Sequence, residues 1–496
     1  MAEVRVTGGV VRGVTEDGVA RFLGVPYAAP PFGANRMRPP APVVPWSGTR
    51  DASAYGPTVP KGDYPDQYAP LFAEVVIPGD ECLNLNVWTP EGAASLPVLV
   101  WIHGGAFVNG SGSVSAYDGS AFARDGVVCV TINYRLGPDG SLFTEGDQGT
   151  DNANLGLQDQ VAALRWVRDN IAAFGGDPSR VTVAGESAGA MSVSTLLALP
   201  SADGLFAQAI TQSGATAHTL TAEIGLTVAR SFAERLGVDA TREAIAAADL
   251  DLLVKTAEEF HNDAQAVPDP EKYGALAARV LVFAPVVDGV VLPRHPLDAV
   301  AGGASGNVRI LLGSNRQEAR LFLVAPGVID LIDEAELTAG SAAYGLPPDG
   351  LETYRRNHPG ASPGDLLAQV VSDWYFGVPA IRLAEAHERG GGRTWAYVFD
   401  RPRPEENHGF GSAHAVEIPY AFDTIDDPSI APLIGPNPSR AVADSTHAVW
   451  VRFVTDGDPG WAPYTAATRT TGVLTETVTV VDDPRGEERA VWDGLV

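Results

Sequence analysis

The sequence predicts an α/β protein with a mostly parallel central sheet covered by helices. Three observations predict it. Short apolar runs rich in β-branched residues recur along the chain, bounded by turn residues. Segments with apolar residues at helical spacing separate them, and that alternation implies parallel strands joined by crossover helices. Two of the runs end in glycine-rich turns, "WIHGG" at 101–105 and "VAGESAG" at 183–189.

The elements follow in order. "EVRVTGGVVRGVTEDGVARFLGVPYA" alternates apolar and polar residues around glycines and reads as antiparallel β-structure, followed by a proline-rich loop from Pro26 to Pro45. "PVLVWIHGG" and "GVVCVTINYR" are buried strands. Leu157, Val161, Leu164, Val167 and Ile171 fall at helical spacing, and Gly175, Gly176 and Pro178 stop that helix. "RVTVAGES" is the third strand of this series. "AQAITQSG", "VRILLGSN" and "TWAYVFD" are further strands. Helical insertions around 219–280 and 330–390 are expected to cap one edge of the sheet, the second broken by Pro347, Pro348, Pro359 and Pro363. No repeat, low-complexity tract or interdomain linker interrupts the pattern, so residues 1–496 read as a single domain with insertions.

Composition narrows the function classes. The formal net charge is -27, which repels nucleic acid and anionic lipid. No apolar run reaches membrane-spanning length, and no N-terminal stretch has a signal-peptide pattern. The expectation is a soluble, cytoplasmic protein without membrane insertion. Cys82 and Cys129 read as small buried hydrophobes rather than a disulfide pair. No His, Cys and carboxylate cluster has metal-ligand spacing, and no glycine-rich loop resembles a phosphate cradle, so neither metal nor cofactor is expected. Asn109-Gly110-Ser111 matches a glycosylation sequon and reads as coincidence in such a chain.

The chemistry centres on "GESAG". A serine passing from strand to helix must turn sharply, and side chains two residues to either side would collide with neighbouring backbone. Gly185 and Gly189 remove those collisions and expose Ser187 at the tip, near the first N–H groups of the next helix. That arrangement is the one expected of a nucleophile elbow in an α/β-hydrolase. A serine hydroxyl needs a base within hydrogen-bond reach, and the base needs an orienting acid. In this fold the chain order is serine, acid, histidine. The loop after "VRILLG" offers Glu318, and the loop after "TWAYVF" offers His408 and His414. Chain order does not choose between the two histidines. Acyl transfer also builds an oxyanion, which needs waiting N–H donors. "WIHGGAF" ends a strand in small residues, so the backbone N–H groups of Gly105, Ala106 and Ala188 are the expected donors.

These motifs resemble the type-B carboxylesterases, the group that also contains cholinesterases and bacterial p-nitrobenzyl esterases. The resemblance runs through "GVPYAAPPFGANRMRPP", "DECLNLNVWTP", "WIHGGAF", "INYRLG", the whole stretch from Asn154 to Ala190, "GSNRQEARLF", "SAHAVEIPYAF" and "WDGL". It implies an α/β-hydrolase fold with helical cap insertions and an enzyme that is a serine carboxylic-ester hydrolase working through an acyl-enzyme. Ser187 is then the nucleophile, Glu318 the acid and His414 the base, and Leu321 and Phe322 face the acyl pocket. Glu186 is either a structural carboxylate or a tuner of the His414 cation, and Ser213 and Gly214 are structural. The expected partners are small neutral esters, short- to medium-chain or aryl. Bulky synthetic esters such as aromatic polyester oligomers are an alternative, and a non-catalytic binding module on this fold is a third. Two departures from the family pattern mean that the disulfide of its extracellular members cannot form and that the resemblance does not extend to choline specificity. Between Asp51 and Glu81 there is no cysteine to bridge Cys82 and no tryptophan to hold a quaternary ammonium. A histidine base that must be neutral to act predicts activity rising with pH through an apparent pKa of about 6 to 7 and then levelling off.

Overall fold

A computed structural model describes residues 2–266, 281–401 and 409–495. Sixteen strands are assigned in it. They are β1 (Glu3–Val6), β2 (Gly9–Arg12), β3 (Val14–Glu16), β4 (Val19–Pro26), β5 (Thr49–Asp51), β6 (Asn84–Pro90), β7 (Leu96–Ile102) and β8 (Val128–Ile132). The series continues with β9 (Gly176–Glu186), β10 (Gln208–Gln212), β11 (Leu220–Thr221), β12 (Val286–Val287), β13 (Arg309–Asn315), β14 (Arg393–Phe399), β15 (Thr470–Leu474) and β16 (Val478–Asp482). Eleven of them form one sheet in the order β16-β15-β14-β13-β10-β9-β7-β8-β6-β4-β3. From β15 to β8 all neighbours are parallel. The edges, β16 on one side and β6-β4-β3 on the other, are antiparallel.

Alternation along the strands explains how the sheet is covered. Val98, Val100 and Ile102 of β7 enter one apolar cluster, and Leu99 and Trp101 enter another. Strand β13 divides likewise, Ile310 and Leu312 against Leu311. Successive side chains point to opposite faces, so both faces of the sheet are buried. That double burial is why these strands read as continuous apolar runs.

The predicted helix after "INYRLG" spans Leu155–Asn170 and runs on into the 3-10 turn Ile171–Phe174, which Gly175 ends in the left-handed conformation at φ 81°. All six internal strands expected from the sequence are present as β7, β8, β9, β10, β13 and β14. Strands β6, β15 and β16 were not anticipated, although "TETVTVVDD" carries the period-2 pattern of an edge strand. The first expected insertion contains helices Ala222–Leu236, Arg242–Ala246 and Leu250–Ala266, and its remainder, 267–280, lies outside the described residues. The second contains Glu334–Ala343, Pro348–Asn357, Pro363–Ser372 and Val378–Arg389. A third apolar cluster, including Leu337, Leu351, Tyr354, Leu366 and Trp492, lies among those helices. Cys82 and Cys129 are buried and unpaired. No helix among the described residues is long and apolar enough to cross a membrane.

Candidate active site

Ser187 sits between β9 and the helix Ala188–Leu196 with φ 55° and ψ −124°, a conformation costly for any residue with a side chain. Its N–H donates to the Gln212 carbonyl at 2.9 Å and its carbonyl accepts from Met191 N–H at 2.9 Å. Two neighbouring glycines make the turn possible. A Cβ on Gly185 would lie 2.5 Å from the Gly189 carbonyl carbon, and one on Gly189 would strike the Ile102 oxygen.

Glu318 follows β13 and is fully buried. Its Oε1 accepts from the Asn315 N–H at 2.6 Å, and its Oε2 accepts from His414 Nδ1 at 2.7 Å. The His414 N–H in turn donates to the Glu318 carbonyl at 3.1 Å. The imidazole is therefore held from both its ring and its backbone. Rings also flank it, with Phe376 at 4.6 Å and Phe322 at 5.4 Å between centroids. His408 lies outside the described residues.

Beyond β7 the chain turns through Gly105, Ala106 and Phe107, all at positive φ (107°, 54° and 62°). The Val108 and Asn109 N–H groups close this turn on the Gly105 carbonyl at 2.9 and 2.8 Å. Gly104, Gly105, Ala106, Ala188, Ser187, His414, Leu321 and Phe322 all line a single cavity of about 890 Å³. Both cap insertions reach it, through His261 and Asn262 on one side and the stretch from Gly340 to Phe376 on the other. Asn109 is buried at its edge and donates to the Gly62 carbonyl, which suits no glycan.

The sequence profile of the Carboxylesterase family matches residues 1–492. The chain belongs to the carboxylesterase family. It is 36% identical over 492 residues to a para-nitrobenzyl esterase of Bacillus subtilis, covering 97% of this chain and 96% of that one. It is 37% identical to a phenmedipham hydrolase of Pseudarthrobacter oxydans, covering 91% and 90%. A solved carboxylesterase of Geobacillus stearothermophilus superposes with a TM-score of 0.84 at 35% identity, covering 99% of each chain. The fold is thus that of an α/β-hydrolase, and the protein is a carboxylic-ester hydrolase.

In this carboxylesterase two buried glutamates face the His414 ring. Its Nε2 faces Glu186 Oε1 at 3.2 Å. Burial alone would depress the imidazole, but Glu186 and Glu318 outweigh it and push the group up to about 9. The expected 6 to 7 is the range of an ordinary imidazole, and the two buried carboxylates facing the ring raise His414 above it.

Three residues of the site escaped the sequence reading. Asn315 donates through Nδ2 to Glu417 Oε2 at 2.5 Å and to the Ala413 carbonyl at 2.7 Å. Gln212 donates to Glu417 Oε1 at 3.1 Å. Burial, with Glu318 nearby, pushes Glu417 up to about 7. Asn315 and Glu417 each stand three residues from a singled-out residue, which was the available signal. The sequence offers Trp374, Tyr375 and Phe376 as an alternative aromatic platform, but not the rest of the aromatic lining. The segment between Asp51 and Glu81 lacks tryptophan, yet its Tyr64, Tyr68 and Phe72 line the cavity beside Tyr117, Trp374 and Phe376. Among the described residues no group of His, Cys, Asp and Glu is arranged to hold a metal ion.

Proposed function

We propose that this esterase cleaves neutral aryl or short- to medium-chain esters through an acyl-enzyme on Ser187. His414 takes the Ser187 proton as Oγ attacks the ester carbonyl, and Glu318 holds the imidazole by Nδ1 and offsets its positive charge. The N–H groups of Gly105, Ala106 and Ala188 receive the oxyanion. His414 then protonates the departing alcohol, and water repeats the sequence on the acyl group. The observation that carries this reading is the 2.7 Å Glu318–His414 hydrogen bond on the wall of the cavity that Ser187 lines.

The cavity favours the substrate class. Its aromatic lining suits aryl groups by offset and edge-on ring contacts. Its volume lies toward the large end for small-molecule sites, which supports bulky aromatic esters, including polyester oligomers, as a second substrate class. Incubation with a slowly deacylating p-nitrophenyl ester, followed by peptide mass spectrometry, tests the mechanism. The acyl mass is expected on the peptide holding Ser187, with a burst of p-nitrophenol. Label on another residue, or turnover without burst or label under rapid quench, would count against it.

A further inference from the structure

Trp374, Tyr375 and Phe376 are consecutive, and all three line the cavity. An α-helix rotates roughly 100° per residue, so three successive side chains cannot share one side of it. Here they can, because Asp373–Gly377 is a π-helical turn between the helices Pro363–Ser372 and Val378–Arg389. A π-turn has more residues per turn and therefore a smaller angular step. Such turns are rare, and an unfavourable local backbone persists only when its surroundings over-determine it.

The surroundings in this case are the end of the chain. Asp373, the first residue of the turn, is buried and accepts two hydrogen bonds from Arg485, at 2.7 and 2.8 Å. It accepts a third from the Tyr354 hydroxyl at 2.5 Å. That hydroxyl accepts from the Trp492 indole N–H at 2.8 Å, and Trp492 is completely buried. Glu488 orients Arg485 through Nε at 2.5 Å. None of these groups lines the cavity. Phe376, three residues from Asp373, stacks parallel to Phe322 and packs on His414.

We propose that the carboxy-terminal segment, through Arg485 and Trp492, holds the π-turn in place and so sets the width of the acyl side of the cavity. Arg485, Tyr354 and Trp492 are positioning residues: they act on specificity through Asp373 and the ring of Phe376, without touching substrate. This rests on the esterase reading above and on the family resemblance, which implies that Phe322 faces the acyl pocket.

The test compares Arg485→Gln, Tyr354→Phe and Trp492→Phe with the parent enzyme on p-nitrophenyl esters from acetate to octanoate and 2-naphthoate. Far-UV circular dichroism monitors the fold, and near-UV circular dichroism monitors the packing of the aromatic side chains as a whole. Acetate turnover is expected to stay within about threefold, because the smallest acyl group does not reach the wall. The ratio of kcat/KM for the bulky esters to that for acetate should change by about tenfold or more in Arg485→Gln, with smaller shifts of the same sign in the other two. A parallel fall for all esters, or an unchanged ratio in the folded variants, would overturn the proposal. Should Arg485→Gln not fold, Tyr354→Phe and Trp492→Phe decide by the same criterion. Activity surviving in Ser187→Ala would overturn the site reading itself, whatever the Arg485 variants do.

Discussion

His414 Nε2 lies 3.2 Å from Oε1 of Glu186, the residue directly before Ser187. The nitrogen that is proposed to take the serine proton thus faces a buried carboxylate on the same turn. A carboxylate there favours the imidazolium, and only the neutral ring can act as base. The rising limb of kcat/KM against pH should therefore lie above the ordinary imidazole value. Glu186→Gln removes the facing charge and should move that limb to lower pH. A pH profile with a soluble neutral ester checks this, and an unmoved limb would show that Glu186 does not tune the base.

The proposed triad acts as a unit. Ser187→Ala and His414→Ala should each reduce kcat by roughly 10⁴-fold or more with the fold retained. Glu318→Gln should lose roughly 10³- to 10⁴-fold, since the neutral amide no longer offsets the imidazole cation. His408→Ala is the control and should remain active. Activity lost in the control but kept in His414→Ala would reverse the assignment of the base.

Glu417 makes a prediction about stability. Its folded-state pKa is pushed up to about 7, against roughly 4.3 for an unfolded glutamate. A raised carboxyl pKa contributes stability that is present below the unfolded value and lost as pH rises through the folded one. Glu417→Gln cannot ionise. Its Tm relative to the parent enzyme should therefore be more favourable at pH 8 than at pH 4.5. Calorimetry at both pH values measures the difference, and equal offsets would contradict it.

Arg135 and Asp159 form a buried bidentate pair at 2.7 Å through both Nε and Nη2, and Asp159 also accepts from the Arg135 N–H at 3.0 Å. Asp159→Asn leaves the guanidinium buried without its counter-charge. The expected loss is about 3–5 kcal/mol, measurable by urea denaturation. A loss below about 1 kcal/mol, the level of an exposed pair, would mean that water reaches the site.

Pocket contacts should outweigh surface charge in substrate choice. The net charge of -27 raises encounter with cations, but salt screens that attraction. At physiological salt p-nitrophenyl butyrate should be hydrolysed far faster than butyrylcholine. A choline preference that survives salt would assign a cation site to the aromatic lining, with Trp374 the first candidate for substitution.

The sequence by itself determined the framework of this protein. Strands buried on both faces must be continuously apolar, so β7, β8, β9, β10, β13 and β14 were visible as runs. The Ser187 turn tolerates only glycine at 185 and 189, because added Cβ atoms meet backbone, so the elbow was visible as a motif. Family resemblance supplied what chain order left open, the choice of His414 over His408. Only the tertiary structure decided what surrounds those residues. Glu186 faces His414 across 228 residues of chain, and no local pattern encodes that approach. Asn315, Gln212 and Glu417 meet beneath Glu318 because β10 and β13 are parallel neighbours in the sheet. Trp492 and Arg485 reach the π-turn across more than a hundred residues of chain. Hydrophobic periodicity reports which face of an element is buried; it carries no information about which distant side chain will be found there, and the charge of this site and the shape of its cavity depend on that.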